Sequence, residues 1–289
     1  MKRILITGAT GNVGFEVIRF LEKSDSQNII IAGVRNIESA KNVFKDLHKI
    51  DFVNFDFEQP DTFDSALQNI DTVFLLRPPH ISDTERYFRP LIQKIKEHKV
   101  SEIIFLSVQG AEKSKVIPHN KIEKLILDYN LNYIFLRPSY FMQNLTTTLL
   151  NDIKTKKQII LPSGNAKFNW IDIRDIAEVS SILLNGFSAY KNMAIELTGS
   201  ENINFNRVAN LLSSSTQEPI RFTNVSPLEF YRIKKKEGIA KGMIIVMIML
   251  HFLPKFQKEP QISDYYEKIT AKSPTSLGEF IEREKMRFT

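Results

Sequence analysis

The first hydrophobic pattern in the chain is a short apolar run, followed by small residues and then by apolar positions at helical spacing. Residues 4–6 are Ile or Leu, and Val13, Val17, Ile18 and Leu21 recur one to four positions apart. A continuous apolar run is typical of a buried strand, whereas the later spacing places an apolar face along a helix. The pattern predicts a strand, a tight turn and a helix at the start of the chain.

Apolar runs continue to alternate with helical patterns through the first half of the chain. One helix face is marked by Tyr87, Phe88, Leu91, Ile92 and Ile95. Further strands are predicted at residues 28–34, 52–55, 71–76, 102–106 and 132–136. Strands that alternate with helices build a mostly parallel sheet that is covered on both faces. We therefore predict an α/β protein with a doubly wound parallel Rossmann sheet.

Beyond residue 150 the alternation loosens. Short strands are predicted at residues 158–161 and 194–197, and a helix that returns to the sheet at residues 176–184. We expect a Rossmann domain over residues 1–155 and a mixed region over residues 156–199. A smaller, mostly helical C-terminal lobe that faces substrate or partner is expected over residues 200–289.

One segment of this lobe, residues 242–253, is almost entirely apolar and holds three of the seven methionines. Its twelve residues are too few to span a bilayer, which needs about twenty. Three interpretations stay open at this point. The segment is a fully buried helix, a flexible apolar pocket wall, or a dimer surface.

Composition narrows the class of protein. The chain has 289 residues, no cysteine and a formal net charge of +6. The absence of cysteine excludes disulfides and thiolate metal sites and fits a reducing cytoplasm. The five histidines show no ligand spacing, so no metal site is expected. Because Met1 precedes the first strand by only two residues, we expect no signal peptide.

The positive charge does not by itself indicate a nucleic-acid partner. Basic residues are spread along the chain, and the densest run, Lys234–Lys236, is interpreted as a solvated helix face. A cationic protein also attracts a phosphate-rich cofactor. We expect neither nucleic-acid binding nor a membrane span.

The chemistry that the sequence shows most clearly is at the first turn. Gly8, Gly11 and Gly14 lie three residues apart between the first strand and the first helix. Glycine lets the backbone approach a pyrophosphate, and the helix N-terminus offers unpaired N–H groups to the anion. The turn therefore predicts a dinucleotide site.

The second strand indicates which dinucleotide binds. An NAD site uses a carboxylate at this strand's end for the ribose 2′-OH, but residues 33–36 contain no Asp or Glu, and Glu38 lies too far along. Arg35 follows the strand instead, and a guanidinium matches a 2′-phosphate in bidentate fashion. We predict NADP(H) in preference to NAD(H). The alternative for Arg35 is a solvated loop cation.

Ligands of doubly wound sheets lie beyond the carboxyl ends of the strands. Seven residues close the predicted strands and are candidates for the site: Thr7, Arg35, Asp56, Leu76, Arg77, Ser107 and Arg137.

Several motifs together resemble the NmrA-like branch of the atypical short-chain dehydrogenase/reductase superfamily, and the resemblance covers essentially the whole chain. They are the Gly8/Gly11/Gly14 turn, residues 34–36, Asp56–Phe57, His119 with Glu123, residues 136–138, residues 141–144, residues 171–177 and residues 273–280. That branch contains NADP-binding redox-sensing regulators, flavin-free NADPH quinone reductases and azoreductase-like proteins. The resemblance implies an NADP(H)-binding protein of one of these kinds.

The resemblance also implies roles for individual residues. The pyrophosphate would be wrapped by Gly8, Thr10, Gly11, Asn12 and Val13, with Gly14 completing the turn. Arg35 would hold the 2′-phosphate, and Asp56 and Phe57 would sit at the adenine. Leu75, Leu76 and Arg77 would pass beside the ribose and nicotinamide. The alternative for Asp56 is a cap on the following helix.

Catalysis is where the chain departs from the superfamily pattern. Members that oxidise alcohols or epimerise sugars use a Tyr with a Lys four residues later, because the Lys lowers the phenol pKa. Here His119 and Glu123 stand at the corresponding spacing. The pair Tyr231 and Lys235 has the right spacing but lies far along the chain, so we attribute it to chance. His119 is either an acid–base group, a polar residue at a helix start or a substrate contact.

Two functions from different classes follow. The first is an NADPH-dependent reductase of a quinone-like or other conjugated small-molecule acceptor, with Ser107, His119 and Asn144 lining the acceptor slot. The second is a non-catalytic NADP(H) sensor with a regulatory protein partner. A nucleotide-sugar epimerase is a weaker alternative because the Tyr/Lys pair is missing. A homodimer is compatible with either function.

Overall fold

Strands and helices alternate along the chain in this computed structural model, which describes residues 1–24 and 26–289. The strands are β1 (Arg3–Ile6), β2 (Ile29–Val34), β3 (Ile50–Asn54), β4 (Thr72–Leu76), β5 (Glu102–Leu106), β6 (Tyr133–Pro138), β7 (Tyr140–Phe141), β8 (Gln158–Leu161), β9 (Lys167–Ile171), β10 (Met193–Leu197), β11 (Asn202–Asn204) and β12 (Arg221–Asn224). The helices are α1 (Asn12–Lys23), α2 (Ile37–Val43), α3 (Phe63–Leu67), α4 (Thr84–Glu97), α5 (Pro118–Asp128), α6 (Leu150–Lys156), α7 (Ile173–Asn185), α8 (Phe205–Thr216), α9 (Pro227–Lys236), α10 (Lys241–Phe252), α11 (Tyr265–Thr270) and α12 (Leu277–Arg283).

The main sheet has the strand order β10-β6-β5-β4-β1-β2-β3, and each neighbouring pair is parallel. Strand order reverses beside β1, which is the arrangement of a Rossmann sheet. The predicted doubly wound parallel sheet is therefore confirmed. Its predicted strands occur with end points that move by no more than two residues, as for β2 (Ile29–Val34) against 28–34.

Helices cover both faces of the sheet because successive strand residues point to opposite sides. Leu5 and Ile31 join a buried cluster with side chains of α3, α4 and α5, such as Phe63 and Phe88. Helix α1 packs against α7, and neither helix contributes to that cluster. The buried face of α1 holds the apolar positions that the sequence pattern marks, Val13, Val17, Ile18 and Leu21.

The chain divides into two compact units, each made of several segments. The first unit comprises Met1–Pro138, Ile173–Leu197 and Tyr265–Lys272, and so contains the main sheet. The second unit comprises Ser139–Asp172, Thr198–Asp264 and Ser273–Thr289.

The second unit has its own small sheets and its own core. Strand β9 pairs with β7 in parallel and with β11 in antiparallel, and β8 pairs with β12 in parallel. Trp170, Phe205, Phe230 and Phe280 are fully buried in its aromatic and aliphatic core. Sequence analysis missed β7, β9, β11 and β12, because none of them has an apolar run longer than two residues.

The lysine run on α9 differs from the prediction of a solvated helix face. The side chain of Lys234 is buried, and its Nζ lies 2.6 Å from Asp152 Oδ2 and 2.8 Å from Glu237 Oε2. Lys235 and Lys236 are exposed as predicted. The prediction was wrong for Lys234 because its partner Asp152 is distant in sequence.

Helix α10 contains most of the Met-rich apolar segment, and the interpretation as a fully buried helix is wrong. Only Ile244, Met247 and His251 are buried among its described residues. Apolar side chains on the other side are largely exposed, including Val246 at 55% and Met249 at 51%. The helix therefore presents an apolar surface as well as a buried face.

Candidate functional site

The three glycines of the turn between β1 and α1 have different roles. Gly8 has a φ of +58°, a conformation that favours glycine, and the N–H of Gly11 donates to the carbonyl of Gly8 at 3.0 Å. A Cβ on Gly14 would lie 2.4 Å from the Gly8 carbonyl oxygen, a backbone atom that cannot move aside. A Cβ on Gly11 would lie 3.2 Å from the same oxygen, which is tight but tolerable. Gly14 thus sets the packing of the turn, and Gly11 leaves the approach to it open.

The N-terminus of α1 is exposed and leaves its first backbone N–H groups without a side-chain acceptor in the described part of the chain. Its N-cap is Gly11, without a side-chain cap among the described residues, and its first turn carries no acidic residue. Gly8, Thr10, Gly11 and Asn12 are exposed, whereas Val13 and Gly14 are buried. Uncapped N–H groups and the positive end of the helix dipole face outward here, as a phosphate requires.

Thr7 fixes the end of β1 against the end of β4. Its buried Oγ1 accepts a hydrogen bond from the N–H of Leu76 at 2.8 Å, and its N–H donates to the carbonyl of Phe74 at 3.0 Å. Leu76 lies against the turn, since a Cβ on Gly8 would be 3.3 Å from the Leu76 Cβ. Leu75 instead points into the core, where it is fully buried. Of these two predicted cofactor neighbours, only Leu76 presents its side chain to the turn.

Arg35 follows β2, and the register of Ile6 with Ala32 places it beyond the same strand ends as the glycine turn. Its side chain is exposed, and no hydrogen bond or ion pair engages the guanidinium within residues 1–24 and 26–289. The next residue, Asn36, caps α2 by accepting a hydrogen bond from the N–H of Ser39 at 2.9 Å. The cap fixes the backbone directly after Arg35 while the guanidinium stays available to an anion.

Asp56 and Phe57 lie past the end of β3 and have different environments. Asp56 is half-buried, and its Oδ1 accepts a hydrogen bond from the N–H of Glu58 at 3.0 Å, which is a local turn contact. The Phe57 ring is buried, with its centroid 4.9 Å from that of Phe55 and 5.2 Å from that of Phe88. Phe57 can therefore reach a ligand only through its backbone.

Arg77 secures the loop after β4. Its Nη1 donates to the carbonyls of Pro78 at 3.0 Å, Pro79 at 3.2 Å and Ile81 at 2.7 Å. Its Nε donates to Nε2 of His119 at 3.3 Å. Burial lowers the pKa of Arg77. The guanidinium thus holds the loop in place and links it to α5.

His119 lies in the first turn of α5 and is half-buried, with its ring stacked 6.1 Å from that of Phe105. Burial, and next the charge of Arg77, lower the pKa of His119 to about 3. The imidazole is therefore neutral near pH 7, and its unprotonated Nε2 accepts the hydrogen bond from Arg77 Nε. These contacts favour a polar residue at a helix start over an imidazolium acid.

Ser107 belongs to a buried polar network centred on Glu123, the residue at the position of the superfamily's Lys. Ser107 Oγ donates to Glu123 Oε1 at 2.6 Å. Arg137 donates to the same carboxylate from Nε at 3.0 Å and from Nη2 at 2.7 Å, and from Nη1 to Glu112 at 2.8 Å. The carboxylate is thus held by three hydrogen bonds, and the Ser107 hydroxyl proton is engaged by Glu123.

Asn144 lies in the second unit, in a half-buried position on the 3-10 helix Met142–Leu145. Beside it, Gln143 Nε2 donates to Asp172 Oδ1 at 2.6 Å. The other oxygen of Asp172 lies 2.6 Å from Nη2 of Arg283 on α12. Sequence analysis missed the role of Arg283, since nothing in the local pattern of α12 indicates a partner so far away.

The structure was also searched for metal-binding clusters and for membrane-spanning helices. In the described part of the chain, no group of three or more His, Asp or Glu side chains is placed to hold a metal ion. Within that part, too, every helix is either too short or too polar to cross a membrane.

The geometry described above is that of a Rossmann protein with a dinucleotide-type turn. The chain belongs to the NmrA-like family, which it matches over residues 1–281. It is 31% identical over 277 residues to prestalk A differentiation protein A of Dictyostelium discoideum, covering 96% of this chain and 90% of that protein. It is 25% identical over 289 residues to the NAD(P)H azoreductase of Xenophilus azovorans, covering 99% of each.

A solved structure shows the same fold. The NADPH-dependent quinone oxidoreductase of Escherichia coli, complexed with NADPH, superposes with a TM-score of 0.83 at 22% identity, covering 97% of this chain and 99% of that one.

Proposed function

We propose that the protein is an NADPH-dependent reductase of quinone-like or other conjugated small-molecule acceptors, and that it binds NADP(H) in preference to NAD(H). One observation carries the proposal. The N-terminus of α1 and the guanidinium of Arg35, neither of which has a side-chain partner within the residues that the structure describes, lie beyond adjacent strand ends of a Rossmann sheet. Together they offer two anion sites, one for a pyrophosphate and one for a 2′-phosphate.

The first turn provides the pyrophosphate site. Gly8 and Gly11 keep side chains out of its approach, and Thr10 and Asn12 are exposed polar residues beside it. The N–H groups at the start of α1, including that of Val13, bind the anion, while Gly14 maintains the turn. The relative from Xenophilus azovorans is named an NAD(P)H azoreductase, and the solved structure of the Escherichia coli quinone oxidoreductase is complexed with NADPH. Both support a dinucleotide at this turn.

Arg35 provides the preference between the two cofactors. A guanidinium forms two parallel hydrogen bonds with a phosphate, whereas a ribose hydroxyl offers no charge to it. No carboxylate stands in residues 33–36 to bind a ribose 2′-OH. In this proposal the half-buried Asp56 and the backbone of Phe57 border the adenine, and Leu76 and Arg77 border the ribose and nicotinamide.

When bound, the cofactor supplies a hydride. The residues of α5 supply no obvious proton, because His119 is neutral near pH 7 and Glu123 is held by Ser107 and Arg137. An acceptor that stabilises negative charge after hydride addition, such as a quinone or an azo compound, needs no positioned acid.

The experiment is a turnover screen with the purified protein. NADPH consumption is measured with quinones and azo dyes as acceptors, and in parallel the protein is assayed with NADP⁺ plus secondary alcohols and with nucleotide sugars. We expect turnover with the first group alone. Epimerisation or alcohol oxidation contradicts the proposal, because either reaction needs a proton-transfer pair.

A second function is an NADP(H) sensor with a regulatory protein partner. It is favoured because the polar groups near α5 are already hydrogen-bonded to one another. Ser107, Glu123 and Arg137 bond to one another, as a structural network would. Firm NADP(H) binding without turnover on any acceptor selects the sensor over the reductase. A homodimer and a cytoplasmic location stay predictions under both functions.

A further inference from the structure

Helix α10 and the residues on either side of it in the sequence carry an exposed apolar band on the second unit. Its largely exposed members are Ile239, Met243, Ile245, Val246, Met249, Leu250, Leu253 and Phe256, the last at 73% exposure. Within α10, Ile245, Val246 and Met249 lie on the side opposite the buried Ile244, Met247 and His251, and Met243 and Leu250 flank them. Contiguous exposed apolar surface of this kind marks a docking site for a macromolecule or a membrane.

The helix is held firmly on its inner side, so the band is presented by an ordered element. His251 Nε2 lies 2.9 Å from the hydroxyl of Tyr140, and His251 Nδ1 lies 2.7 Å from the carbonyl of Met247. The His251 ring also lies 5.8 Å from that of Phe205. These contacts anchor α10 to the aromatic core.

The ends of the band are positively charged. Lys235, Lys236, Lys241, Lys255 and Lys258 are exposed and adjoin it in sequence, and none pairs with a carboxylate in the part of the chain that the structure describes. The acidic residues next to the band already form ion pairs with other lysines. Glu237 bonds to Lys156 and Lys234, and Glu259 to Lys167.

This charge distribution indicates which kind of partner binds the apolar band. A second copy of the chain would bring the same lysines to the same surface, and like charges placed together disfavour association. An anionic lipid surface offers negative headgroups for the lysines and an apolar layer for the band. The helix of 12 residues is about 18 Å long and so suits binding in the interface plane.

We propose that α10 and its flanking lysines bind the surface of anionic membranes, with the helix lying flat and without spanning the bilayer. Ile245, Val246 and Met249 enter the headgroup boundary, and the lysines contact lipid phosphates. This association is independent of the reductase or sensor function proposed above.

The test is sedimentation of the intact protein with vesicles of phosphatidylcholine alone and of phosphatidylcholine mixed with phosphatidylglycerol. We expect binding to the mixed vesicles, weakened by salt, and little binding to the neutral ones. Val246→Asp combined with Met249→Asp should abolish it. Met286→Asp is the matched control, because Met286 is an exposed methionine elsewhere in the same unit. Circular dichroism and Trp170 fluorescence check that both variants are folded.

A second set of variants keeps the test independent of the folding of the aspartate variants. Replacing Lys235, Lys236 and Lys241 by Gln should lower the partition coefficient about a hundredfold, since each lysine near an anionic surface contributes roughly fivefold. Equal binding to neutral and anionic vesicles, or none to either, overturns the proposal. Self-association that the Val246→Asp/Met249→Asp variant abolishes, without vesicle binding, also overturns it and identifies a second copy as the occupant.

Discussion

The buried ion pair between Glu123 and Arg137 gives the sharpest prediction about stability. Glu123→Gln removes the charge from a carboxylate that accepts three hydrogen bonds, and turns one of its oxygens into a donor facing Arg137 or Ser107. The side chains of Arg137 and Glu123 are only 12% and 6% exposed. The substitution therefore leaves a nearly buried guanidinium without its main partner.

The magnitude follows from that burial. Breaking a buried pair by removing one partner costs about 3–5 kcal/mol, and we expect about 3 kcal/mol because Arg137 keeps its bond to Glu112. Replacing both partners, with Glu123→Leu and Arg137→Met, should cost much less than either change alone, since no buried charge then remains. Glu112→Gln is the control, because a pair at the protein surface contributes about 1 kcal/mol or less.

The assay is urea unfolding followed by far-UV circular dichroism and, separately, by fluorescence of Trp170. Trp170 is the one tryptophan and lies in the second unit, whereas Glu123 and Arg137 lie in the first. Two signals are needed because two units need not unfold together. The circular-dichroism midpoint of Glu123→Gln should fall substantially. Two results would refute the reasoning. The first is a Glu123→Gln midpoint equal to that of the wild type. The second is a Glu123→Leu/Arg137→Met double variant whose loss of stability equals the sum of the losses of its two single variants.

Three further predictions concern the turn and the buried histidines. Gly14→Ala should prevent a stable fold, because its Cβ would lie 2.4 Å from the Gly8 carbonyl oxygen. Gly11→Leu should instead stay folded and lose cofactor binding. Circular dichroism measures the folding of each variant, and calorimetry measures cofactor binding. His119→Ala should lower quinone turnover only modestly, and the wild-type rate should show no inflection from His119 between pH 5 and pH 8, because its pKa is about 3. Burial lowers the pKa of His251 to about 4. The free energy of unfolding should therefore fall as the pH drops from about 6.5 to 4, by at most about 3 kcal/mol. His251→Gln should remove this pH dependence from the stability profile.

Each of these predictions has a clear contrary result. A stable Gly14→Ala variant would show that the turn adapts, and micromolar cofactor binding by Gly11→Leu would refute the proposed approach of the pyrophosphate. A ten-thousandfold loss in His119→Ala would show that this residue is the true acid. For His251, the sign follows from the lowered pKa. The unfolded chain takes up a proton near pH 6.5 and the folded chain does not until about pH 4. Constant stability across that interval would contradict the burial argument.

The parts of the fold that the sequence predicted are those with local causes. A glycine turn needs only neighbouring residues, and parallel strands such as β4 (Thr72–Leu76) are continuous apolar runs because both faces are buried. The strand-end rule also selected Arg35, Ser107 and Arg137 as residues to examine. Their positions could be predicted because topology alone brings strand ends to one edge of a sheet.

What the sequence could not supply is the pairing between distant residues. Nothing in the spacing indicates that Ser107 donates to Glu123, or that Lys234 is buried against Asp152. The apolar content of α10 likewise does not reveal which side is covered, since a helix that is apolar all round looks the same whether buried or exposed. These contacts depend on packing between elements far apart in the chain.

Arg35 is proposed to select NADP(H) over NAD(H), and titration with both cofactors tests this role most directly. Wild-type protein and Arg35→Ala are titrated with NADPH and NADH by calorimetry, with Arg221→Ala as a control that removes the same charge from an exposed site in the second unit. The wild type should bind NADPH more tightly, and Arg35→Ala should reduce that preference by about 1–3 kcal/mol, while Arg221→Ala keeps it. Equal wild-type affinities, or a preference that survives in Arg35→Ala, would contradict the claim.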